Sequence, residues 1–326
     1  MFNFFNSKRD QKGKDLEVFF ITFDEPLKDL SWKKLKKALP KAQRTDSVKG
    51  FDRAHKVCAE KTRGRRFISI DGDNELLPNF HEFTISRELM DSNYVLSWAA
   101  ANSINGLCYG NGGVKCWPTS LVHEMNCHEN ATDEKSAVDF CYKLQYFLMP
   151  EVLTVSNIHH TPYQAFRSGF REGIKMSLVK GEKLKYSNES QLLQLFTTKI
   201  PKSNLERLTI WCSIGQDVEN GLWAIYGARR ALVEVYINHM PLENIRDYDW
   251  FNNYWDTIVY PEFSGGNEKC SVRQTSWDKT KLDYSAEKLR LELNKVLGLE
   301  LISYDSNQSK EFKRNYKNNR KKGLLK

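Results

Sequence analysis

Two aspartates one residue apart, Asp71-Gly72-Asp73, close the apolar run Phe67-Ile68-Ser69-Ile70, and their spacing offers the plainest chemistry in the chain. The run is strand-like, so both carboxylates fall at the carboxyl end of a strand. The glycine between them lets the backbone turn tightly and approach a ligand closely. Hard divalent cations take oxygen ligands, and Mg²⁺ or Mn²⁺ is commonly held by one or two carboxylates together with the phosphates of a substrate. An ordinary strand closed by an Asp-Gly turn is the plainer alternative. The surrounding elements decide between the two.

Residues 16–23 read as an apolar, aromatic strand closed by Asp24-Glu25-Pro26. A helix over 31–39 follows, with Ser31 as N-cap and Pro40 as its stop. Residues 43–49 form a short second strand, and Gly50 precedes a helix over 51–63 with Ala54, Val57 and Cys58 inward. Strand, helix, strand, helix, strand predicts an α/β sheet with parallel strands. Ligands of such sheets sit beyond the carboxyl ends of the strands, which brings Thr22, Asp24 and Asp46 towards Asp71 and Asp73. Arg53 and His55, just after Gly50 at the start of a helix, face the same crevice, where backbone N–H groups favour a diphosphate.

Further along, residues 81–86 and 94–99 are strand-like. A loop rich in Gly and Asn over 102–117, carrying Asn111 and Lys115, reads as a flap over a ligand. A helix is predicted over 133–148 and a strand over 153–156. A helix opened by Pro162 carries Arg167, Arg171 and Lys175 as a basic stripe at i, i+4, i+8. Helices follow over 205–212, 221–237 and 285–297, and residues 243–283 are aromatic without a regular period. The expected architecture is α/β, a mixed and mainly parallel sheet flanked by helices, with a mainly helical C-terminal part. Its expected divisions are a lead-in over 1–14, a sheet domain over 15–185, a helical and aromatic region over 186–309, and a basic tail over 310–326.

Composition narrows the class. The chain has 326 residues, 40% of them hydrophobic, enough for a sizeable core. No apolar run approaches the roughly eighteen residues of a membrane span, and the N-terminus lacks the apolar region of a secretory signal. The seven cysteines, at 58, 108, 116, 127, 141, 212 and 270, are odd in number and irregularly spaced, which predicts reduced thiols in a cytoplasm. Cys108, Cys116, His123, Cys127 and His128 are too irregular for a usual zinc module. The formal charge of +8 resides almost wholly from Lys310 onward, where eight Lys and Arg face one Glu. Such a tail is expected to be unstructured, either solvated or holding an anionic polymer.

Val18-Phe19-Phe20-Ile21-Thr22, the Gly50 helix and Ile68-Ser69-Ile70-Asp71-Gly72-Asp73 resemble the GT-A fold glycosyltransferases over about residues 15 to 180. Asn105-Gly106-Leu107, Tyr109-Gly110-Asn111-Gly112-Gly113-Val114-Lys115 and residues 161–173 resemble a bacteriophage branch of that family. Its members transfer sugars to hydroxymethylated bases such as 5-hydroxymethylcytosine in phage DNA, and the DNA arabinosyltransferases are the nearest likeness. The resemblance implies a nucleotide-sugar donor, a UDP-sugar, with Mn²⁺ or Mg²⁺ on its diphosphate at Asp71 and Asp73. It also implies a third ligand from His159 or His160, phosphate contacts from Arg167 and Arg171, a duplex DNA acceptor, and the host cytoplasm as location.

For an inverting member it implies a general base, and Arg171-Glu172-Gly173 resembles the Glu-Asp element that supplies one, with Gly173 in place of the second acid. Asp217 and Glu219 are the alternatives. A pairing of Glu172 with Lys175 on its own helix is the bland reading of that acid. A polysaccharide or protein acceptor, a non-catalytic nucleic-acid binder and a nucleotidyltransferase are the competing functions. A pure DNA binder gains nothing from two carboxylates beside its anionic ligand.

Overall fold

Val18-Phe19-Phe20 cannot remain in water, and a central β-strand buries such a run on both faces. In the computed structural model, which describes residues 10–110, 112–264 and 277–321, the chain forms two compact units. The first holds the described residues up to Ala101 with Cys108–Asn130 and Lys143–Ser156. The second holds Asn102–Leu107, Ala131–Tyr142 and the described residues from Asn157 onward. The expected division at 185 falls inside the second unit.

The first unit runs β1 (Gln11–Lys12), β2 (Glu17–Thr22), α1 (Lys28–Ala38), β3 (Gln43–Asp46), α2 (Phe51–Lys61), β4 (Arg66–Asp71), β5 (Asn74–Leu76), β6 (Thr84–Ile85), α3 (Arg87–Asp91), β7 (Val95–Asn102), β8 (Val114–Pro118), α4 (Thr119–Glu124) and β9 (Tyr146–Ser156). Seven strands form one sheet in the order β3-β2-β4-β8-β7-β9-β5. β2 is parallel to β3 and β4, whereas β4–β8, β7–β8 and β5–β9 are antiparallel. The sheet is mixed, with its parallel part confined to three strands. The α/β crossovers end after β4, and the pairings of the strands beyond it are antiparallel. Phe20, Ile68, Ile70, Leu96, Trp98 and Val114 build the core on one face. Phe19 and Phe67 meet edge to face, 5.5 Å apart.

Two local expectations fail here. α1 starts a turn early: the Ser31 N–H donates to the Leu27 carbonyl (2.9 Å), so Ser31 lies inside the helix and does not cap it. The helix expected over 133–148 shrinks to α5 (Glu134–Val138) and a single turn at Phe140–Tyr142, and from Tyr146 the chain belongs to β9. Pro150 denies a helix its N–H, and Val152, Thr154 and Val155 favour a strand.

The second unit continues with α6 (Pro162–Met176), α7 (Glu189–Lys199), α8 (Lys202–Trp211), α9 (Gly221–Tyr236), α10 (Tyr248–Tyr254), α11 (Tyr260–Phe263), α12 (Lys279–Leu297) and α13 (Ser306–Lys321). Thr161 caps α6 by accepting from the Gln164 N–H, with Pro162 in the first turn. The aromatic segment without a period is mostly helical over its described part up to Phe263, with residues 265–276 outside the described residues, and Phe251, Tyr254 and Trp255 pack on Phe166 and Phe170. The basic tail is also folded through Lys321. Ser309 is buried with its hydroxyl accepting from the Gly215 N–H (3.4 Å), and Lys313 is ion-paired to Asp217 at 2.6 Å.

α6 and α9 approach so closely that only glycine fits between them. A Cβ on Gly169 would lie 1.9 Å from the Ala224 carbonyl oxygen, and one on Gly227 2.3 Å from that of Phe166. Alanine gains about 1 kcal/mol of helix propensity over glycine, but the overpacked crossing costs more. Gly169→Ala is expected to lower the unfolding free energy by on the order of 2 kcal/mol net. Urea unfolding with an unchanged slope measures it, and a neutral or stabilised variant would contradict the close approach.

Candidate functional site

The parallel register levels three strand ends: Thr22 stands opposite Asp46, and Ile21 opposite Asp71. From Asp71 the chain turns through Gly72, where a Cβ would lie 2.8 Å from Thr22 Cγ2 and 2.9 Å from Glu25 Cδ. Asp71, Asp73 and Glu25 therefore surround one glycine, each oriented by the backbone or a neutral donor. The Asp71 N–H donates to the Gly113 carbonyl (2.8 Å), Asn74 Nδ2 donates to Asp73 Oδ1 (2.6 Å), and the Phe23 N–H donates to Glu25 Oε2 (2.8 Å).

Burial, then the Asp71 and Glu25 carboxylates, push the Asp73 carboxyl up to about 7. A cation from β8 reaches in. Buried Lys115 donates to the Gly112 carbonyl (2.9 Å) and stands 3.5 Å from Asp71 Oδ2. Among the described residues no three His, Cys, Asp or Glu side chains converge as a ready-made metal cage. Glu25 was missed in the sequence because nothing local separates it from Asp24. Asp24 is exposed, whereas Glu25 turns in.

Asp46 is at the expected strand end but is used internally. Thr22 Oγ1 donates to it (2.7 Å), Lys28 pairs with it (2.9 Å), and Arg44 reaches both Thr22 Oγ1 (2.9 Å) and Asp46 (3.3 Å). Burial would raise its pKa, but Thr22, Lys28 and Arg44 outweigh that and hold it low. Thr22 and Asp46 thus brace the end of β2.

The start of α2 corrects a larger expectation. Gly50 has φ +99°, and a Cβ there would sit 2.2 Å from Glu129 Oε1, which also accepts from the Arg53 N–H (3.1 Å). The chain's own carboxylate occupies the place foreseen for a diphosphate. Asp52 in the same turn accepts from the Cys127 N–H (2.7 Å) and Asn130 (3.2 Å), and burial raises its carboxyl to about 6. The Arg53 side chain is exposed and pairs with Glu60 at 2.8 Å. His55 is buried beside Phe51 and Trp117, its Nδ1 lies 2.8 Å from the Phe51 carbonyl, and burial lowers its pKa to about 4, so it is neutral.

Arg167, Arg171, Glu172, His160 and Asp217 belong to the second unit. Arg167 lies over the rings of Tyr163 and Tyr248, at 5.2 and 4.6 Å. Lys175 pairs with Asp139 (3.1 Å) and Glu172 (3.5 Å); burial disfavours its charge, but the two carboxylates prevail and raise its pKa. Of the stripe on α6, Lys175 is paired, whereas Arg171 opposes its charge and has its Nε buried without a hydrogen bond among the described residues. Gly173 stands where an acid was expected because a Cβ would lie 2.7 Å from the Ala228 carbonyl of α9. His159 Nδ1 meets the Glu219 carbonyl (2.9 Å), and the His160 N–H donates to Gln164 Oε1 (3.0 Å). Asn111 lies outside the described residues.

No protein-family model and no curated protein matches the chain. Among solved structures it is similar to S. aureus TarS residues 1–349 in complex with UDP, at 10% identity and TM-score 0.28 over 78% of this chain and 83% of that one. It is also similar to the mannosyltransferase PcManGT from Pyrobaculum calidifontis in complex with GDP-Man and Mn²⁺, at 8% identity and TM-score 0.33 over 87% and 90%. The glycosyltransferase GlyE of Streptococcus pneumoniae TIGR4 matches at 15% identity and TM-score 0.25 over 89% and 72%. TM-scores this low leave the fold to stand on the chain's own strands and helices.

Asp73 gives the site a signature readable without any ligand. Its carboxyl titrates near the ordinary 3.9 or so in the unfolded chain and at about 7 in the folded one. Between those values the folded state holds the extra proton, so stability falls as pH rises through that window and stays reduced above it. Asp73→Asn is expected to flatten this dependence and to exceed the parent at pH near 8, without metal, by on the order of 2 kcal/mol. Urea unfolding at acidic and alkaline pH tests it, and identical pH profiles would refute a repelled, buried carboxylate.

Proposed function

We propose that the chain is a metal-dependent glycosyltransferase that takes its sugar from a nucleotide-sugar donor, a UDP-sugar, and transfers it to a hydroxymethylated base in DNA. The observation that carries the reading is the placement of Asp71, Asp73 and Glu25 around Gly72 at the carboxyl end of β4, where burial and then the two other carboxylates raise the Asp73 carboxyl to about 7. Such a surplus of carboxylate oxygen fits a hard divalent cation with few protein ligands, whose remaining positions go to substrate phosphates. Asp71 and Asp73 would hold Mn²⁺ or Mg²⁺, which supplies charge neutralisation at the departing diphosphate.

Lys115 has a fixed ammonium beside Asp71 and is suited to orient an anionic group there. Thr22, Asp46, Arg44 and Lys28 hold the neighbouring strand ends rigid. Glu172 and Asp217 remain the two candidates for a general base, each ion-paired to a lysine, Lys175 at 3.5 Å and Lys313 at 2.6 Å. Asp71→Asn and Asp73→Asn are each expected to cut transfer a thousandfold or more, as loss of several kcal/mol at the leaving group implies. Full activity in both variants, or turnover indifferent to a chelator, would refute the reading.

The DNA acceptor draws its support from α13. Lys313 and Ser309 face inward, which leaves Lys310, Arg314 and Lys317 exposed at helical spacing, a row suited to a phosphate backbone. Replacing all three by Gln is expected to reduce the slope of log K against log salt for duplex DNA by up to about 2.7. The decisive experiment incubates the protein with DNA containing 5-hydroxymethylcytosine and a panel of sugar nucleotides, then analyses nucleosides by mass spectrometry. A donor consumed without a modified base would move the acceptor to a polysaccharide or protein.

A further inference from the structure

Three cations share one face of α6, at i, i+4 and i+8, and their surroundings differ. Lys175 has two carboxylates, Asp139 at 3.1 Å and Glu172 at 3.5 Å. Arg167 lies over the rings of Tyr163 and Tyr248. Arg171, one turn from each, has neither kind of support. Among the described residues no carboxylate pairs with it and no group accepts a hydrogen bond from it, and its Nε is buried. Its effect on Lys175 is adverse, since the two charges oppose each other. A guanidinium cannot shed its proton to escape such a setting. Holding it half-buried without an anion costs free energy. Other partly buried cations of this unit are paired, Lys313 with Asp217 and Arg230 with Glu234. The close crossing of Gly169 and Gly173 on α9 fixes α6 in rotation, so the face carrying Arg171 stays where it is.

An unpaired guanidinium beside a second one selects its ligand by charge and shape. The planar fork of N–H groups matches the oxygens of an oxyanion. A carboxylate carries one charge, whereas phosphate groups carry more and offer oxygens to both forks. Arg167, within 5 to 6 Å or so of Arg171 at the Cβ atoms, is steadied by the ring faces beneath it. We propose that Arg171, with Arg167 beside it, is an oxyanion site of the second unit that takes a phosphate group. Two sources present one in the reaction proposed above: the diphosphate of the nucleotide donor and the backbone of the acceptor DNA. The site rests on that reading only for these sources, since the unpaired guanidinium is a property of the chain alone.

Titration calorimetry on the full chain, with a chelator present, measures binding without transfer. UDP is titrated in one arm and duplex DNA in the other. Arg171→Gln is expected to weaken at least one arm about tenfold or more, and the arm that moves names the source. Arg171→Lys keeps the charge but loses the fork, and should bind more weakly than the parent in that same arm. In the absence of any phosphate, Arg171→Gln is expected to raise the urea midpoint, because it removes a repelled, half-buried charge. A side chain with only a structural role would lower it. No binding by the parent in either arm, affinities indifferent to Arg171→Gln in both, or a lowered urea midpoint would each overturn the site. A chain that binds as expected yet transfers nothing would keep the site and refute the reaction. One that transfers with affinities indifferent to Arg171 would do the reverse.

Discussion

Like charges brought around one glycine must be held there by something other than each other. At the end of β4 the holding is done by neutral groups: the Gly113 carbonyl fixes the Asp71 backbone, Asn74 donates to Asp73, and the Phe23 N–H donates to Glu25. Each of these comes from an element whose position the sheet dictates. β8 must lie antiparallel to β4 for Gly113 to be in reach, and β2 must lie parallel to it for Glu25 to arrive beside Gly72. The site is thus a property of strand order, and the repulsion stored in it is what a divalent cation would relieve.

The helical unit obeys a different constraint, close backbone approach. Gly169 and Gly173 on α6 meet Ala224 and Ala228 on α9, and Gly227 meets the Phe166 carbonyl. Side chains flanking this crossing are forced outward into polar company. Lys175 finds Asp139 and Glu172, and Arg167 finds Tyr163 and Tyr248. A stripe that is uniform on a helical wheel is, in its surroundings, divided: Lys175 is paired with carboxylates, Arg167 lies over two rings, and the Arg171 Nε is buried without a hydrogen bond among the described residues.

Patterns confined to a few neighbouring residues were legible in the sequence. The alternation and breakers up to residue 71 give β2, β3, α2, β4 and the common end of Thr22, Asp46 and Asp71. What is not legible is which partner arrives from elsewhere. Asp46 looks available until Lys28 and Arg44 are placed beside it, and the first turn of α2 looks like a phosphate cradle until Glu129 fills it. Asp24 and Glu25 are indistinguishable until the turn decides which points inward. Charge density alone suggested an unstructured end after Lys310. One serine and one lysine on the inner face, meeting Gly215 and Asp217, are enough to seat a helix there.

The clasp at α2 bears on how the chain acquires its structure. Glu129 reaches Arg53 across 76 residues of sequence, and Asn130 reaches Asp52 across 78. Trp117 reaches Ser69 across 48. The early strand–helix–strand segment therefore has its local elements but neither its helix cap nor its second central neighbour until residue 130 has been added. Contacts so distant must bear their loop-closure entropy before they return any stabilisation. The nascent N-terminal segment therefore has an open sheet edge beside β4 until Val114–Pro118 has been made, and no Glu129 at the start of α2 until the turn carrying it follows.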